Sequence, residues 1–384
     1  MTPRERFWKF AAREPGAEIP FWGDWVGPID VWRKQGLPAA TADVDRLGGG
    51  REWFCDYYGF DGIYSYSWGT SRVPVFTGLY PGFPAETVEE TDKYIISRDG
   101  EGTLSKRFKH NEGGIVTTQD LSHAISTRKD WERLRDGQLD PGDPGRYPDE
   151  KTWKQLKEGW KNRRSLLTID GGGFYGVVRN WMGVENVSYA LYDDPEWVRE
   201  MFDTLADFYC KVLLRAVTEV DIDFAMFWED MCYKTGPLMS PSMFRKMVLP
   251  CYKKVTAFLR EHGVRLSWVD CDGNIESLLP LFLEGGVEGF YPLEVASDMD
   301  AGKLLEEYGE KILLWGNVDK RALARGGRDL ENEVARVAEI AKRGGFIPLV
   351  DHGVPHDVSL ENYNRYVQLR KELIHPWMLN KDYR

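Results

Sequence analysis

The sequence predicts an α/β protein with the fold of a (β/α)8 TIM barrel, carrying N-terminal helical and β-hairpin additions. From residue 165 onwards, short apolar segments alternate with longer segments of helical periodicity. Such alternation predicts a parallel sheet whose strands are connected by helices. Two short apolar segments near the N-terminus raise the number of strands to eight, which favours a closed barrel over an open sheet.

The composition is that of a soluble globular protein with a large core. Hydrophobic residues make up 42% and charged residues 29% of the 384 residues, and we expect a single domain covering residues 1–384. The net charge of −11 argues against binding to nucleic acid, which needs a basic surface, and against docking on an anionic membrane. No apolar run approaches the roughly 20 residues that span a bilayer. The charged N-terminus lacks the apolar region of a signal peptide.

The cysteines are scattered and form no C-x-x-C pair. An odd and dispersed set argues against a disulfide framework and favours a reducing compartment. We therefore expect a cytoplasmic protein. The five residues are Cys55, Cys210, Cys232, Cys251 and Cys271.

The N-terminal part contains both additions. The first helix is expected at Arg4–Arg13, with Thr2 as its cap and Pro3 at its first position. The alternating pattern at about residues 85–110 predicts a β-hairpin insertion that turns at Arg98-Asp99-Gly100. The remaining predicted elements are a strand at Ile19–Trp25, a helix at Asp43–Tyr58 interrupted by Gly48–Gly50, a strand at Gly62–Tyr66, a loop at Asp140–Asp149 and a helix at Glu150–Asn162.

The rest of the chain contains the regular alternation. The predicted strands are Ser165–Asp170, Asp223–Glu229, Arg265–Asp270, Gly289–Glu294, Ile312–Asn317 and Phe346–Asp351. The predicted helices are Pro195–Val217, Pro241–His262, Ile275–Glu284, Ala301–Tyr308, Leu330–Arg343 and Leu360–Ile374.

Nearly every predicted strand ends in a side chain that can bind a proton or a metal ion. The active site of such a barrel lies where the carboxyl ends of the strands meet. Several carboxylates that converge there need a metal ion, cationic partners or a chemical role, because unpaired buried charges are costly. Alternatively, each acid caps the helix that follows its strand. The strand ends are Asp24, Tyr66, Asp170, Glu229-Asp230, Asp270-Cys271-Asp272, Glu294, Asn317 with Asp319, and Asp351-His352.

The segment Arg265–Asn274, RLSWVDCDGN, has the densest set of such groups. Because side chains alternate along a strand, Asp270 and Asp272 are expected on one side and Cys271 on the other. The two aspartates can share a metal ion or hold a hydroxylated ligand; the alternative is an Asx turn of Asp272 with Gly273. Cys271 is either a ligand or a small core residue.

Two further motifs are weaker. His352 and His356 are four residues apart, but Gly353 and Pro355 between them exclude a helix, so His352 alone is the candidate ligand or general acid. GGGFYG at residues 171–176 formally matches G-x-G-x-x-G, yet it lies in mid-chain and no acid ends a strand some twenty residues later. Its glycines are expected to allow a loop to approach the barrel closely.

Four segments of the chain resemble the uroporphyrinogen decarboxylase superfamily, whose fold is a (β/α)8 barrel. They are WEDMCYKTGPLMSPSMFRKMVLPCYKKV, VDCDGNIESLLPLFLEGGVEGFYPLEVASDMD, LLWGNVDKRALA and FIPLVDHGVPHDVSLENYNRY. True uroporphyrinogen decarboxylases carry an N-terminal arginine motif of the type MRQAGR, whereas this chain has FWGDWVGPIDVW. That difference argues against tetrapyrrole decarboxylation and directs attention to the corrinoid-dependent methyltransferases of the same superfamily.

Within that branch, some members bind zinc through His-x-Cys on the fifth strand and a cysteine near the eighth. Here the matching positions hold Asp270-Cys271-Asp272 and His352, so oxygen ligands and a histidine replace the thiolates. This set resembles the O-demethylase methyltransferases, which take a methyl group from a methoxylated substrate. Cleavage of a methyl ether leaves an alkoxide or phenoxide, which needs a Lewis acid or a proton donor.

The resemblance therefore implies methyl transfer from a methoxylated, methoxyaromatic substrate to the Co(I) corrinoid (cobalamin) of a partner protein. Zn²⁺ is a candidate cofactor, since an Asp/Glu/His cluster can assist the leaving oxygen with or without a metal ion, and a homodimer is a candidate assembly. Trp228, Trp268 and Trp315 either sandwich an aromatic ring or fill the barrel. The alternatives are a cofactor-free decarboxylase of a carboxylated small molecule or tetrapyrrole, and a non-catalytic binding protein.

The expected roles divide the site residues into three groups. The candidate catalytic residues are Glu229, Asp270, Asp272 and His352; the candidate substrate-binding residues are Trp228, Asp230, Trp268, Tyr291, Glu294, Asn317 and Asp351; the candidate metal ligands are Asp270, Cys271 and His352.

Overall fold

A computed structural model describes residues 1–38, 50–63, 72–109 and 118–379. Its strands are β1 (Trp22–Gly23), β2 (Gly62–Ile63), β3 (Glu86–Glu90), β4 (Tyr94–Arg98), β5 (Leu104–Phe108), β6 (Thr118–Ser122), β7 (Thr168–Gly172), β8 (Phe224–Trp228), β9 (Cys232–Tyr233), β10 (Gly236–Pro237), β11 (Leu266–Asp270), β12 (Gly289–Tyr291), β13 (Leu313–Val318) and β14 (Phe346–Val350). Tyr66 and the first part of the predicted helix at 43–58 lie outside the described residues.

The α-helices of the same residues follow in chain order. They are α1 (Pro3–Ala11), α2 (Ile29–Lys34), α3 (Gly50–Tyr58), α4 (Arg128–Gln138), α5 (Glu150–Trp160), α6 (Tyr175–Met182), α7 (Val184–Asp193), α8 (Pro195–Glu219), α9 (Pro241–Met247), α10 (Leu249–Glu261), α11 (Leu279–Glu284), α12 (Ala301–Tyr308), α13 (Lys320–Arg325), α14 (Gly327–Ala341) and α15 (Leu360–Leu373). None of these helices is long and apolar enough to cross a membrane.

Eight strands form the predicted TIM barrel. Six of them pair side by side in one parallel sheet in the order β7-β8-β11-β12-β13-β14, and β1 pairs in parallel with β2. A bridge between Arg72 and Thr168 connects the chain after β2 to β7, and a bridge between Val26 and Val354 connects the chain after β1 to the chain after β14. The order of the strands around the barrel therefore follows the sequence, as expected for parallel strands with helical crossovers.

The barrel interior is a packed aromatic core. Trp268 and Trp315 lie there with ring centroids 4.8 Å apart, and Trp315 also stacks on Trp22. Helix α1 closes the amino-terminal end of the barrel, because Phe7 and Phe10 are buried in the same cluster. The interior position of Trp268 and Trp315 favours the second of the two alternatives for these side chains, that they fill the barrel.

The predicted hairpin insertion is part of a larger antiparallel sheet, β3-β4-β5-β6. Three strands lie in the predicted range and the fourth follows at Thr118–Ser122. The turn between β4 and β5 contains the predicted Asp99, whose carboxylate accepts hydrogen bonds from the N–H groups of Glu101 and Thr103. The loop after this sheet reaches the barrel where Ile125 N–H donates to the carbonyl of Trp181 at the end of α6.

Other predicted boundaries differ from the structure for local reasons. The helix expected at Pro241–His262 is divided into α9 and α10. Pro250 lies in the first turn of α10, where its missing N–H is tolerated but where a continuous helix would be interrupted. The strand expected at Gly289–Glu294 ends at Tyr291, because Pro292 follows and cannot donate to a neighbouring strand.

Candidate active site at the carboxyl ends of the strands

Three aspartates from two neighbouring strands lie together at the barrel mouth, the end where the carboxyl ends of the strands meet. Asp270 ends β11, Asp272 lies two residues later, and Asp230 follows β8; each offers an oxygen within 4.8 Å of the others. The register of the two strands accounts for this, since Asp270 lies opposite Trp228. Asp270 is buried, whereas Asp230 and Asp272 are partly exposed. We call these three residues the carboxylate cluster.

His352 joins the carboxylate cluster from the last strand. Its Nε2 lies 3.3 Å from Oδ2 of Asp272, and both side chains are about one-third exposed. The bond to Asp272 raises the pKa of His352, and partial burial opposes that rise. The exposed ring of Trp25 lies beside His352, with centroids 5.3 Å apart. An imidazole, two partly exposed carboxylates and a flat aromatic surface therefore face the same opening.

The close approach of the carboxylates has an electrostatic consequence at Asp230. Burial and the negative charge of Asp272 raise the pKa of Asp230 to about 6, while the positive charge of Arg179 opposes this rise. The backbone N–H of Asp272 donates to Oδ1 of Asp230 at 3.4 Å, which offsets part of the repulsion. A divalent cation or a proton between these oxygens would relieve the rest.

Lys320 follows β13, and its side chain links the ends of β12 and β14. Its Nζ lies 3.1 Å from Glu294 Oε1 and 3.9 Å from Asp351 Oδ1. Glu294 also accepts a hydrogen bond from the N–H of Gly273, next to the carboxylate cluster. Burial raises the pKa of Asp351 to about 6, and the charge and backbone N–H of Lys320 oppose the rise. Lys320 was not among the predicted residues, although it lies one position after Asp319 in the quoted LLWGNVDK segment.

Arg179 is a second cation that the sequence analysis missed. It lies on α6 after the glycine-rich segment, and its guanidinium lies 5.2 Å from the centroid of the partly exposed Trp228 ring. It donates to the backbone carbonyl of Asp230, and its Nη2 is 4.0 Å from Asp230 Oδ2. Arg179 also lines a polar cavity of about 810 Å³ between the antiparallel sheet and α6–α7.

Two predicted residues lie outside the reactive region. Glu229 is fully buried, and its carboxylate accepts hydrogen bonds from the N–H groups of Phe174 and Gly176 and from the hydroxyl of Tyr252. Cys271 is buried in the outer core, where its sulfur accepts from the N–H of Met231 at 3.4 Å. Cys271 therefore does not join Asp270 and His352 in a ligand set, because alternation along the chain directs its side chain away from them.

Three predicted substrate-binding residues are buried in this structure. The side chain of Asn317 is completely buried and bonds to the backbone of Ala301, Leu293 and Met299. Trp268 and Tyr291 belong to the aromatic core inside the barrel. Among the predicted substrate-binding residues, Trp228 and Asp230 are partly exposed at the mouth, and Glu294 and Asp351 contact Lys320.

The glycines of the 171–176 segment allow the close approach that the sequence predicted. A Cβ atom at position 173 would lie 2.0 Å from the carbonyl oxygen of Trp228, and one at position 176 would lie 2.3 Å from that of Glu229. The segment therefore packs directly on the end of β8.

Comparison with known proteins agrees with this architecture. Residues 174–373, which are 200 of the 384 residues, match the family described as uroporphyrinogen decarboxylase (URO-D). The fold is similar to that of a methyltransferase from Methanosarcina mazei, with a TM-score of 0.59 and 16% identity over 97% of this chain and 99% of that chain. A B12-independent methionine synthase from Shewanella sp. W3-18-1 matches with a TM-score of 0.44 and 10% identity over 95% and 97% of the two chains. No curated protein sequence matches the chain.

Proposed function

The chain belongs to the uroporphyrinogen decarboxylase family. From this premise we propose that it is a methyltransferase whose methyl donors are methoxyarenes. The acceptor is the Co(I) corrinoid of a partner protein that docks at the barrel mouth. The carboxylate cluster with His352 on Asp272 is the observation that carries this proposal. The chain lacks the paired arginines that would bind propionate groups in the N-terminal stretch FWGDWVGPIDVW, which disfavours a tetrapyrrole substrate.

The proposed reaction needs assistance at the departing oxygen. When the bond between the methyl carbon and oxygen breaks, oxygen keeps the electron pair and needs a proton or a positive charge. His352 supports the first option, since its bond to Asp272 favours the protonated imidazolium that can donate this proton. Lys320 adds positive charge nearby through its contacts with Glu294 and Asp351.

The residues present also fit a divalent cation. Zn²⁺ accepts carboxylate oxygen and imidazole nitrogen, and Asp230, Asp270 and Asp272 would hold it, with His352 beside them. A cation held there would act as a Lewis acid on the leaving oxygen. The predominance of oxygen donors also suits Mg²⁺ or Mn²⁺, so a metal test has to include these ions.

The aromatic surfaces of the mouth support a flat methyl donor. Trp25 is 48% exposed beside His352, and Trp228 is partly exposed beside Asp230. A ring placed against either surface would lie near the carboxylate cluster. Trp25 was not among the predicted residues, because the preceding residue, Asp24, was selected as the polar group of that strand end.

The proposal is tested with purified protein, added Co(I) cobalamin and a panel of methoxyarenes and methylamines. We expect demethylation of a methoxyarene and methylation of the corrinoid, and we expect Asp272→Asn to reduce the rate at least about a hundredfold. Asp136→Asn, an exposed aspartate on α4, is the matched control and should retain full activity. Metal analysis of both variants shows whether a cation is lost with Asp272.

Three results would contradict the proposal. They are the absence of methyl transfer across the panel, transfer that is unchanged in Asp272→Asn, and release of CO₂ from a carboxylated substrate by the isolated protein. The last result would establish the decarboxylase alternative instead.

A further inference from the structure

The backbone of Asp230 adopts a conformation that is uncommon outside glycine. Its φ of +41° lies in the left-handed region, which is unfavourable for a residue with a side chain. This conformation occurs immediately after β8, at the residue that contributes one carboxylate to the cluster. The neighbouring Glu229 is fully buried, whereas Asp230 is partly exposed, so the two side chains lie in different surroundings.

The segment from Gly173 to Arg179 contacts each residue of the β8 end in turn. The absence of a side chain at Gly173 leaves space for the carbonyl of Trp228. The N–H groups of Phe174 and Gly176 donate to the two carboxylate oxygens of Glu229, each at 2.9 Å. These contacts fix the first turn of α6 against β8, and α6 then carries Arg179.

Arg179 completes this set of contacts at Asp230. One Nη donates to the backbone carbonyl of Asp230, the other lies 4.0 Å from its carboxylate, and Cζ lies 5.2 Å from the centroid of the Trp228 ring. A planar guanidinium can make these contacts together, whereas a lysine ammonium cannot. We propose that Arg179 is a positioning residue that holds Asp230 in its left-handed conformation and keeps its carboxylate in the cluster.

This inference rests on the proposed function only in treating the carboxylate cluster as the reactive site. Positioning and a purely electrostatic role of Arg179 predict opposite changes in the affinity of the carboxylate cluster for a divalent cation. If Arg179 were only a neighbouring positive charge, its removal would strengthen the binding of a divalent cation to the cluster. If Arg179 positions Asp230, its removal weakens that binding.

The experiment compares Arg179→Met and Arg179→Lys with the wild type. Titration with Zn²⁺ and Mn²⁺ should show at least about tenfold weaker binding in Arg179→Met, the range found when a residue that orients a ligand is lost. Arg179→Lys should restore little of this affinity. The control is Arg199→Met on α8. This exposed arginine pairs with Asp203 at 3.6 Å, and its variant should bind both cations as the wild type does. Tighter binding by Arg179→Met, or full rescue by lysine, would overturn the inference.

Crystal structures of the wild type and Arg179→Met supply a test that depends on neither metal nor activity. We expect Asp230 to leave the left-handed region and its carboxylate to move away from Asp270 and Asp272. An unchanged backbone and carboxylate position of Asp230 in the variant would refute positioning, even if the wild type binds no cation. A displaced Asp230 together with a wild type that transfers no methyl group would support positioning and reject the proposed function.

Discussion

At the scale of single residues, the carboxylate cluster combines charges that repel one another. Asp230 and Asp272 approach closely enough that the charge of Asp272 contributes to the raised pKa of Asp230. Arg179 and His352 contact these two residues from other elements and offset part of the repulsion. Carboxylates with raised pKa values and specific charged partners are frequent at functional sites, which supports treating this cluster as the candidate active site.

Glu219 illustrates the opposite case, a carboxylate that stabilises the fold. It accepts hydrogen bonds from Lys157 and from the indole of Trp153, and these bonds lower its pKa to about 2. Because the folded pKa is below the ordinary value of 4.5, the stabilisation is present above pH 4.5 and is lost as the pH falls towards 2.

We therefore predict that Glu219→Gln lowers the free energy of unfolding by about 1 kcal/mol at pH 7, a value reduced for its partial exposure. The difference from the wild type should shrink at pH 3, as measured by urea unfolding at pH 7, 5 and 3. Glu158→Gln, a 71% exposed glutamate paired with Lys161, should change stability little at any pH. A pH-independent difference for Glu219→Gln would contradict the assignment.

At the scale of elements, the glycine-rich segment and the end of β8 form one unit. The fully buried Glu229 connects them through two backbone N–H groups, and Tyr252 of α10 holds the same carboxylate from the other side. The position of α6, and with it Arg179, therefore depends on the close approach of Gly176 to β8. Glycines in this segment are needed for packing distance rather than for a nucleotide.

We predict that Gly176→Ala separates α6 from β8 and lowers the free energy of unfolding by about 1–3 kcal/mol, the usual range for overpacking. A Cβ atom there would lie 2.3 Å from a carbonyl oxygen, which cannot move without shifting the strand end. The matched control is Gly159→Ala in α5, where nothing lies within 4 Å of the added atom. That exposed helical change should be neutral or stabilising by up to about 1 kcal/mol. Equal effects of the two substitutions in urea unfolding would disprove this explanation.

At the scale of the whole molecule, side chains complete the closure of the barrel between β1 and β14. The buried Asp24 accepts hydrogen bonds from the N–H of Val350 and from the hydroxyls of Tyr363 and Tyr366. Arg370 of α15 lies 3.4 Å from the same carboxylate and also donates to the carbonyl of Trp22. One acid thus connects the first strand, the last strand and the last long helix.

We predict that Asp24→Asn lowers the free energy of unfolding by about 3–5 kcal/mol, because it leaves the buried guanidinium of Arg370 without its countercharge. Asp30→Asn on α2, at a 92% exposed aspartate, is the control and should change stability by less than about 0.5 kcal/mol. Urea unfolding measures both variants. If Asp24→Asn lowers the free energy of unfolding by less than about 1 kcal/mol, the buried guanidinium of Arg370 does not need the charge of Asp24.

The sequence alone determined the class of fold and most elements of its regular part, because these follow from local patterns. Helix α12 has the predicted bounds, and β8, β11 and β14 lie within or at the predicted ranges. Strand alternation also placed Asp270 and Asp272 on one side and Cys271 on the other, as the structure has them. The expectation that polar strand ends meet at one mouth needed only the parallel arrangement of the strands.

Only the tertiary structure decided which polar groups reach that mouth. Glu229 and Asp230 are adjacent in sequence, yet the first is buried against α6 and the second joins the carboxylate cluster through a left-handed backbone. Arg179, Lys320 and Trp25 come from separate elements, and no local spacing connects them with Asp272 or Asp351. The physical reason is that periodicity reports the face of a strand or helix, whereas charge pairing and ring contacts depend on distances across the barrel.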